Sequence, residues 1–435
     1  MRPGRDMTEA TTLQGAAAPD TGLTLRRNVA LAMLFVVGTI NFIDRQLLSM
    51  LIEPIRADIA LSDTQFGLLT GLAFALFYAG MGVPVAILAD RWNRVKLVGI
   101  ACIVWSGFTA ACGMVSNFWQ LALMRFGVGA GEAGGTAPSV SVLADYYPPE
   151  RRPIVMALFT CNGPFGVFVG AAFGAWAAST IGWRNAFLLI GAVGIVVGPL
   201  LIWLVREPAR GQMDKGASDE AVPFSRALAL FGERRSLMLV LPATAFAAFV
   251  SYGMLNWIPA YLMRVQGMPL AAMGTWFAPV AGITFAAGTL GGGWLVARMA
   301  RKSPRAYGLV PAIATAILIP SLIAALTIDG WPAVLALMVV PLTACTFYIA
   351  PSLALVQNLT PPRARATATS ILMLMFNIIG LGFGPLFVGF VSDALKPDYG
   401  IDSLRWGLMA LMPFALAACA VQLAMMRHLE KDFAA

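Results

Sequence analysis

Histidine is nearly absent: the one copy among 435 residues, His428, lies near the C-terminus. A His-based metal site, a Ser-His-Asp triad or a Cys-His pair therefore has no histidine to use elsewhere in the chain. Cysteine is scarce too. The five (Cys102, Cys112, Cys161, Cys345, Cys419) all fall in apolar stretches and none forms a CxxC pair, so they read as small core residues. No GxxxxGKS/T run is present, which argues against energy taken from a nucleotide bound in a P-loop. Charged residues make up 12%, about half of the roughly 25% usual in a soluble domain. An ordinary soluble enzyme is excluded, because no hydrophilic shell exists to cover it. A disordered chain is excluded by the 59% of hydrophobic residues.

What is there is a series of apolar runs, each near the roughly 20 residues that cross a bilayer. Spans are expected near 28–50, 63–88, 97–115, 118–144, 153–179 and 185–205, then 236–263, 271–297, 305–328, 331–358, 364–392 and 403–426. Backbone groups in hydrocarbon must bond within their own segment, so each span should be a helix. Residues 206–235 differ, with eleven charged residues in thirty. They divide the chain into a six-helix bundle over 28–205 and another over 236–427, with polar tails at 1–27 and 428–435. The first tail has no apolar core and is expected to be flexible rather than a signal peptide.

Lys and Arg orient the spans. With the N-terminus inside, inner segments hold 23 of the 30; the outer five are Arg56, Arg184, Arg264, Lys396 and Arg405, and Arg45 and Arg125 lie within spans. Both termini are thus expected in the cytoplasm of a multi-pass plasma (inner) membrane protein. The net charge of +8 reflects this bias, and no nucleic-acid partner is implied. Gly129-x-Gly131-x-x-Gly134 has a dinucleotide-binding spacing, but it lies mid-span and follows no strand.

The two halves echo each other. Leu88, Arg91 and Arg94 recur as Leu295, Arg298 and Arg301, and Pro148-Pro149 recurs as Pro361-Pro362. Such repeats place a substrate site near the midplane, between halves that rock. Asp90-Arg91-x-Asn93-Arg94 resembles the inner-loop signature of the major facilitator superfamily, with Asn93 in the usual glycine position, where asparagine tolerates a left-handed turn. Leu121-x-x-x-Arg125-x-x-Val128-Gly129-x-Gly131 is similar to that superfamily's span-4 motif. Asn41-Phe42-Ile43-Asp44-Arg45, Ser62-Asp63-x-x-x-Gly67-Leu68 and Gly129-x-Gly131-Glu132-Ala133 resemble the Spinster group of lipid transporters. The resemblance implies an all-α membrane fold, twelve transmembrane helices in two pseudo-symmetric bundles.

Asp44, Arg45, Arg125 and Glu132 are the charges placed well inside spans, each costing about 2.5 to 3.5 kcal/mol there on insertion scales. They are read either as an ion-pair cluster tying spans 1 and 4 or as a site facing the cavity. Arg125 and Glu132 share a helix face; Asp44 and Arg45 point about 100° apart, so the two cannot both face the cavity squarely, which leaves one of them open to pairing with a neighbouring helix. Burial opposes the charged form of a carboxylate and a nearby arginine favours it, so Asp44 and Glu132, with Arg125, are candidates for proton coupling. Arg45, Asn41, Tyr78, Asn162, Tyr252, Asn256, Tyr348 and Asn377 are candidates for binding substrate, ionic on one side and aromatic-polar on the other. Asp90, Arg91 and Arg94 are candidates for an inner gate. The expected function is secondary transport of a lysolipid or sphingoid-phosphate-like amphiphile by a monomer. It would run on a proton gradient without a cofactor or metal, with a small organic anion or drug as the alternative cargo.

Overall fold

The computed structural model describes residues 21–213, 224–361 and 364–434. Most of the expected N-terminal tail, ten residues of the connector, and Pro362 and Arg363 of the repeat therefore lie outside the described residues. All described elements are helical. The first half runs α1 Thr21–Met50, α2 Ile52–Ile59, α3 Asp63–Thr70, α4 Leu72–Arg91, α5 Arg94–Cys112, α6 Phe118–Glu132, α7 Thr136–Tyr146, α8 Arg152–Thr160, α9 Asn162–Thr180 and α10 Gly182–Leu204. After the short connector helix α11 Phe224–Glu233, the second half runs α12 Arg235–Arg264, α13 Leu270–Ala272, α14 Ala278–Ala300, α15 Ala306–Thr327, α16 Trp331–Ala344, α17 Ile349–Leu359, α18 Arg365–Met375, α19 Gly384–Tyr399, α20 Ser403–Met409 and α21 Met412–Ala434.

Among the described residues, ten helical stretches are long and apolar enough to cross a bilayer. One of them, Thr367–Ala434, has 68 residues, about 100 Å at roughly 1.5 Å per residue. That is far beyond a hydrocarbon core of about 30 Å. It turns back at Gly400, whose φ of 56° is open to glycine at no steric cost, and so supplies two spans. The remaining span is α6 with α7, interrupted at residues 133–135, where glycines crowd. This gives twelve spans, six in each half.

Prolines shape the second half. Pro279 and Pro385 stand in the first turns of α14 and α19, directly after wider π-helical turns over Met273–Phe277 and Phe376–Phe383. A proline offers no N–H and crowds the carbonyl four residues back, and a widened turn relieves both. Asn93 departs from expectation. Its backbone is extended (φ −70°) rather than left-handed, and its Oδ1 accepts from the Lys96 N–H at 2.7 Å, capping α5. Asparagine serves there as a helix N-cap, which needs a side-chain acceptor and not glycine's freedom.

Within the first half α5 packs along α10 and α1 along α9; in the second, α12 packs along α21. The halves meet along two seams, α9 against α14, and α3–α4 against α19 with its preceding π turn. The second seam is backbone on backbone. A Cβ on Gly67 would lie 2.5 Å from the Pro385 carbonyl oxygen, and one on Gly71 2.5 Å from that of Gly382. No side chain fits at either place, which gives the glycine of the Ser62–Leu68 motif its physical meaning.

Candidate functional site

A cavity between the halves is lined from the first half by Phe42, Arg45, Gln46, Thr70, Phe74 and Arg125, and from the second by Tyr252, Asn256 and Leu381, among others. Arg45 pairs with Glu132: its Nη2 and Nε lie 2.8 and 2.9 Å from Glu132 Oε2. Its guanidinium rests 4.7 Å from the Phe74 ring centre and 5.2 Å from that of Tyr78. The negative faces of the rings and the carboxylate thus hold the cation at the cavity wall, each ring contributing about 0.5–2 kcal/mol.

Arg125 is 2% exposed and also lies over Phe74. Its Nε and Nη1 have no hydrogen-bond partner, nor does Glu132 Oε1. Adjacent Asp44 and Arg45 diverge: Arg45 lines the cavity while Asp44 is fully buried, with Glu132, Arg125 and Thr109 of α5 as its principal electrostatic neighbours. Asn41 is a polar neighbour of Glu132. The four charges therefore join α1, α5 and α6, with one cation reaching the cavity from each of α1 and α6.

The other candidates are distributed as follows. Tyr252 and Asn256 line the cavity, and Asn256 Oδ1 accepts from Ser49 Oγ of the first half at 3.0 Å. Tyr348 is buried against Phe376, its hydroxyl without a partner. Asn377 donates to its own helix, at Met373 O. Asn162 is buried beside Gly38, at the contact of α1 with α9. Gln46, Thr70 and Leu255 line the cavity and were not singled out from the sequence, whereas Phe42, also in the lining, belongs to the Asn41–Arg45 motif; of the three, Gln46, a polar residue inside a span beside Asp44-Arg45, carried a legible signal.

The two ends of the bundle differ. At one end Asp63, fully buried at the start of α3, accepts from Arg56 at 2.5 Å and from Arg264 of the second half at 2.8 and 3.0 Å. Arg264 also grips Glu53 at 2.8 Å, and Ser392 Oγ donates to Asp63 at 2.7 Å. Sequence reasoning counted Arg56 and Arg264 only as exceptions to the charge bias, and that exception was the available signal. At the other end Asp90 and Arg91 are exposed, and among the described residues no hydrogen bond or ion pair engages their side chains. Arg94 is buried within its own half, bonding Asp145 at 2.5 Å, Glu207 at 2.7 Å and Ser141 at 2.8 Å. Apolar Met81, Ile87 and Leu88, in the part of α4 nearer Asp90, are exposed.

Two like helical halves, tied at one end and enclosing a cavity that bears paired charges, have the build of a membrane transporter and not of an enzyme. The chain belongs to the Major Facilitator Superfamily, which matches residues 34–385. It is 34% identical over 385 residues to an MFS-type efflux pump of Mycolicibacterium smegmatis, 88% of each chain being covered. It is 25% identical over 415 residues to the Sphingosine-1-phosphate transporter SPNS2 of Danio rerio, covering 90% of this chain and 81% of that one. The crystal structure of a bacterial homolog to human lysosomal transporter Spinster, in inward-facing and unoccupied conformation, matches with a TM-score of 0.86 and 31% identity, over 94% of this chain and 98% of that one. The Spinster likeness, legible in three N-terminal motifs, thus extends over nine-tenths of the chain.

Proposed function

We propose that the chain carries an amphiphile with an anionic head, of the lysolipid or sphingoid-phosphate kind, across the plasma membrane by alternating access coupled to protons. The observation that carries this reading is Arg125. It is a buried arginine with two unpartnered donors at the wall of a cavity that Arg45 also lines. Unpaired buried donors are costly, and a phosphate or carboxylate head offers the acceptors that paired guanidinium donors match. Phe42, Phe74, Phe285 and Leu255 supply apolar wall beside these cations, as a tail requires. The likeness to a sphingosine-1-phosphate transporter agrees with that chemistry.

Glu132 is the proton carrier in this account. Its ion pair with Arg45 breaks on protonation, freeing the arginine for substrate; Asp44, in contact with the same cluster but away from the cavity, is the second candidate. Tyr252 and Asn256 complete the binding wall, Asn41 and Tyr78 act on substrate through Glu132 and Arg45, and Asn162, Tyr348 and Asn377, outside the lining, are left as supporting residues. The Lys and Arg bias assigns the Asp90 end and both termini to the cytoplasm, and on this reading the state is inward-facing, as in the bacterial Spinster homolog it resembles. Asp90 and Arg91 then serve the inner gate once it closes, while Arg94 fixes the loop that carries them. One chain builds the whole cavity, which suits a monomer. The experiment is proton-driven uptake in proteoliposomes for Glu132→Gln and Asp44→Asn. Loss of coupling in at least one is expected, and wild-type coupling in both would overturn the proton assignment.

A second reading has its own support. The cavity measures about 60 Å³, room for a few waters at about 10–15 Å³ each. A compact organic anion or a drug needs less widening than a lipid, and one relative is an efflux pump.

A further inference from the structure

The end closed around Asp63 holds a second device besides its arginine clamp. The α3 helix begins at Ser62, whose Oγ accepts from the Gln65 N–H at 3.2 Å while Gln65 Oε1 accepts from the Ser62 N–H at 3.0 Å. The N–H groups in between, of Asp63 and Thr64, find no acceptor in their own half. Both are taken by Asp393, within α19: Oδ1 accepts from Asp63 N at 3.0 Å and Oδ2 from Thr64 N at 2.7 Å. One carboxylate of the second half thus completes the capping of a helix in the first. It uses both oxygens and sits at the positive end of the helix dipole.

We propose that Asp393 is the latch that holds this end of the transporter shut, and that its release from α3 is a required step in opening it. Three observations converge. The second half delivers opposite charges to adjacent points: an anion, Asp393, to the α3 terminus and a cation, Arg264, to the Asp63 carboxylate. Both contacts fall on the same turn of α3, so the end closes only when the two are in register. Just below, the glycine contacts of Gly67 and Gly71 with α19 and its π turn leave no slack, so the cap is made fully or broken. At the opposite end of the same helix pair the acid near the end of α4, Asp90, is exposed and unengaged among the described residues. Among the described residues the pair is latched at one end only. Parting the halves strands two N–H donors and the Asp393 carboxylate, and this bias toward the closed end is separate from the ion pairs of Asp63. The claim concerns which end is held closed and stands for either membrane orientation and any substrate.

The test is a distance distribution by pulsed electron spin resonance in nanodiscs. Labels go at Ala57→Cys in α2 and Ala271→Cys in α13, both exposed, in a background where the partly exposed Cys161 and Cys419 are alanine. Asp393→Ala removes both acceptors and is expected to raise the fraction of long distances about 5–30-fold, the effect of one to two kcal/mol. Asp393→Asn keeps one acceptor and should fall between; it also serves if the alanine variant does not fold. Asp398→Ala, an exposed acid on the same helix, controls for charge and should leave the distribution unchanged. If Asp393→Ala and Asp393→Asn match Asp398→Ala, or if only Arg264→Gln lengthens the distance, the latch assignment is wrong.

Discussion

Arg45 and Glu132, 87 residues apart in sequence, meet at 2.8 Å with very different exposure: the Arg45 side chain is 20% accessible and Glu132 not at all. The pair therefore spans the boundary between the cavity and the interior of the first half. Arg45→Ala strands a fully buried carboxylate, and loss of one partner of a buried pair costs about 3–5 kcal/mol. Arg45's partial exposure places the expected loss near the lower figure. Glu132→Gln combined with Arg45→Ala should recover part of it, because the stranded charge is gone. Thermal melting of the two single variants and the double variant measures this coupling; strictly additive losses would show that the pair is not an energetic unit.

Arg94 is expected to matter for stability and not for the conformational equilibrium. It is 3% exposed and answers two acids, Asp145 and Glu207, that join α5, α7 and the start of the connector. Arg94→Ala should cost about 3 kcal/mol, read as a lower melting temperature, while Asp90→Ala and Arg91→Ala should leave melting near wild type. Equal melting of all three would return Arg94 to the gate.

The glycines of α3 and α4 separate by position. Gly67→Ala drives a methyl into the backbone of Pro385 and Leu386, and such overpacking costs about 1–3 kcal/mol. Gly80→Ala and Gly82→Ala meet nothing within 4 Å and should be neutral or raise helix stability by up to about 1 kcal/mol. Melting curves of the three variants decide it, and a neutral Gly67→Ala would contradict the close seam.

Arg125→Lys keeps the charge but replaces a planar fork with a point donor. If Arg125 grips an anionic head, the variant should raise the KM for transport about tenfold with little change in maximal rate. An unchanged KM would assign Arg125 to the ion cluster alone.

Much of the site was legible because membrane burial makes charge conspicuous. Asp44, Arg45, Arg125 and Glu132 announced themselves as ionised groups in apolar runs, and the structure brings the four together. Their divergence, Arg45 to the cavity and Asp44 to α5, followed from the 100° step of a helix, although the step could not say which residue faced where. The closure around Asp63 was less legible. Asp393 and Arg264 lie more than 200 residues from the α3 terminus they engage, and a helix end advertises its own cap, Ser62, but not a cap from another chain segment. Asn93 misled for a related reason. Asparagine suits both a left-handed turn and an N-cap, and only the following helix tells them apart. The twelve spans were countable from hydropathy, whereas the π turns before Pro279 and Pro385 depend on backbone relief that hydropathy does not report.

The most direct test of the central claim is counterflow into proteoliposomes preloaded with unlabelled candidate substrate, screening lysophospholipids, sphingoid phosphates and water-soluble organic anions. The account predicts saturable exchange of at least one anionic lysolipid or sphingoid phosphate, weakened by Arg125→Lys. Exchange confined to water-soluble anions, with lipids neither carried nor competing, would contradict it.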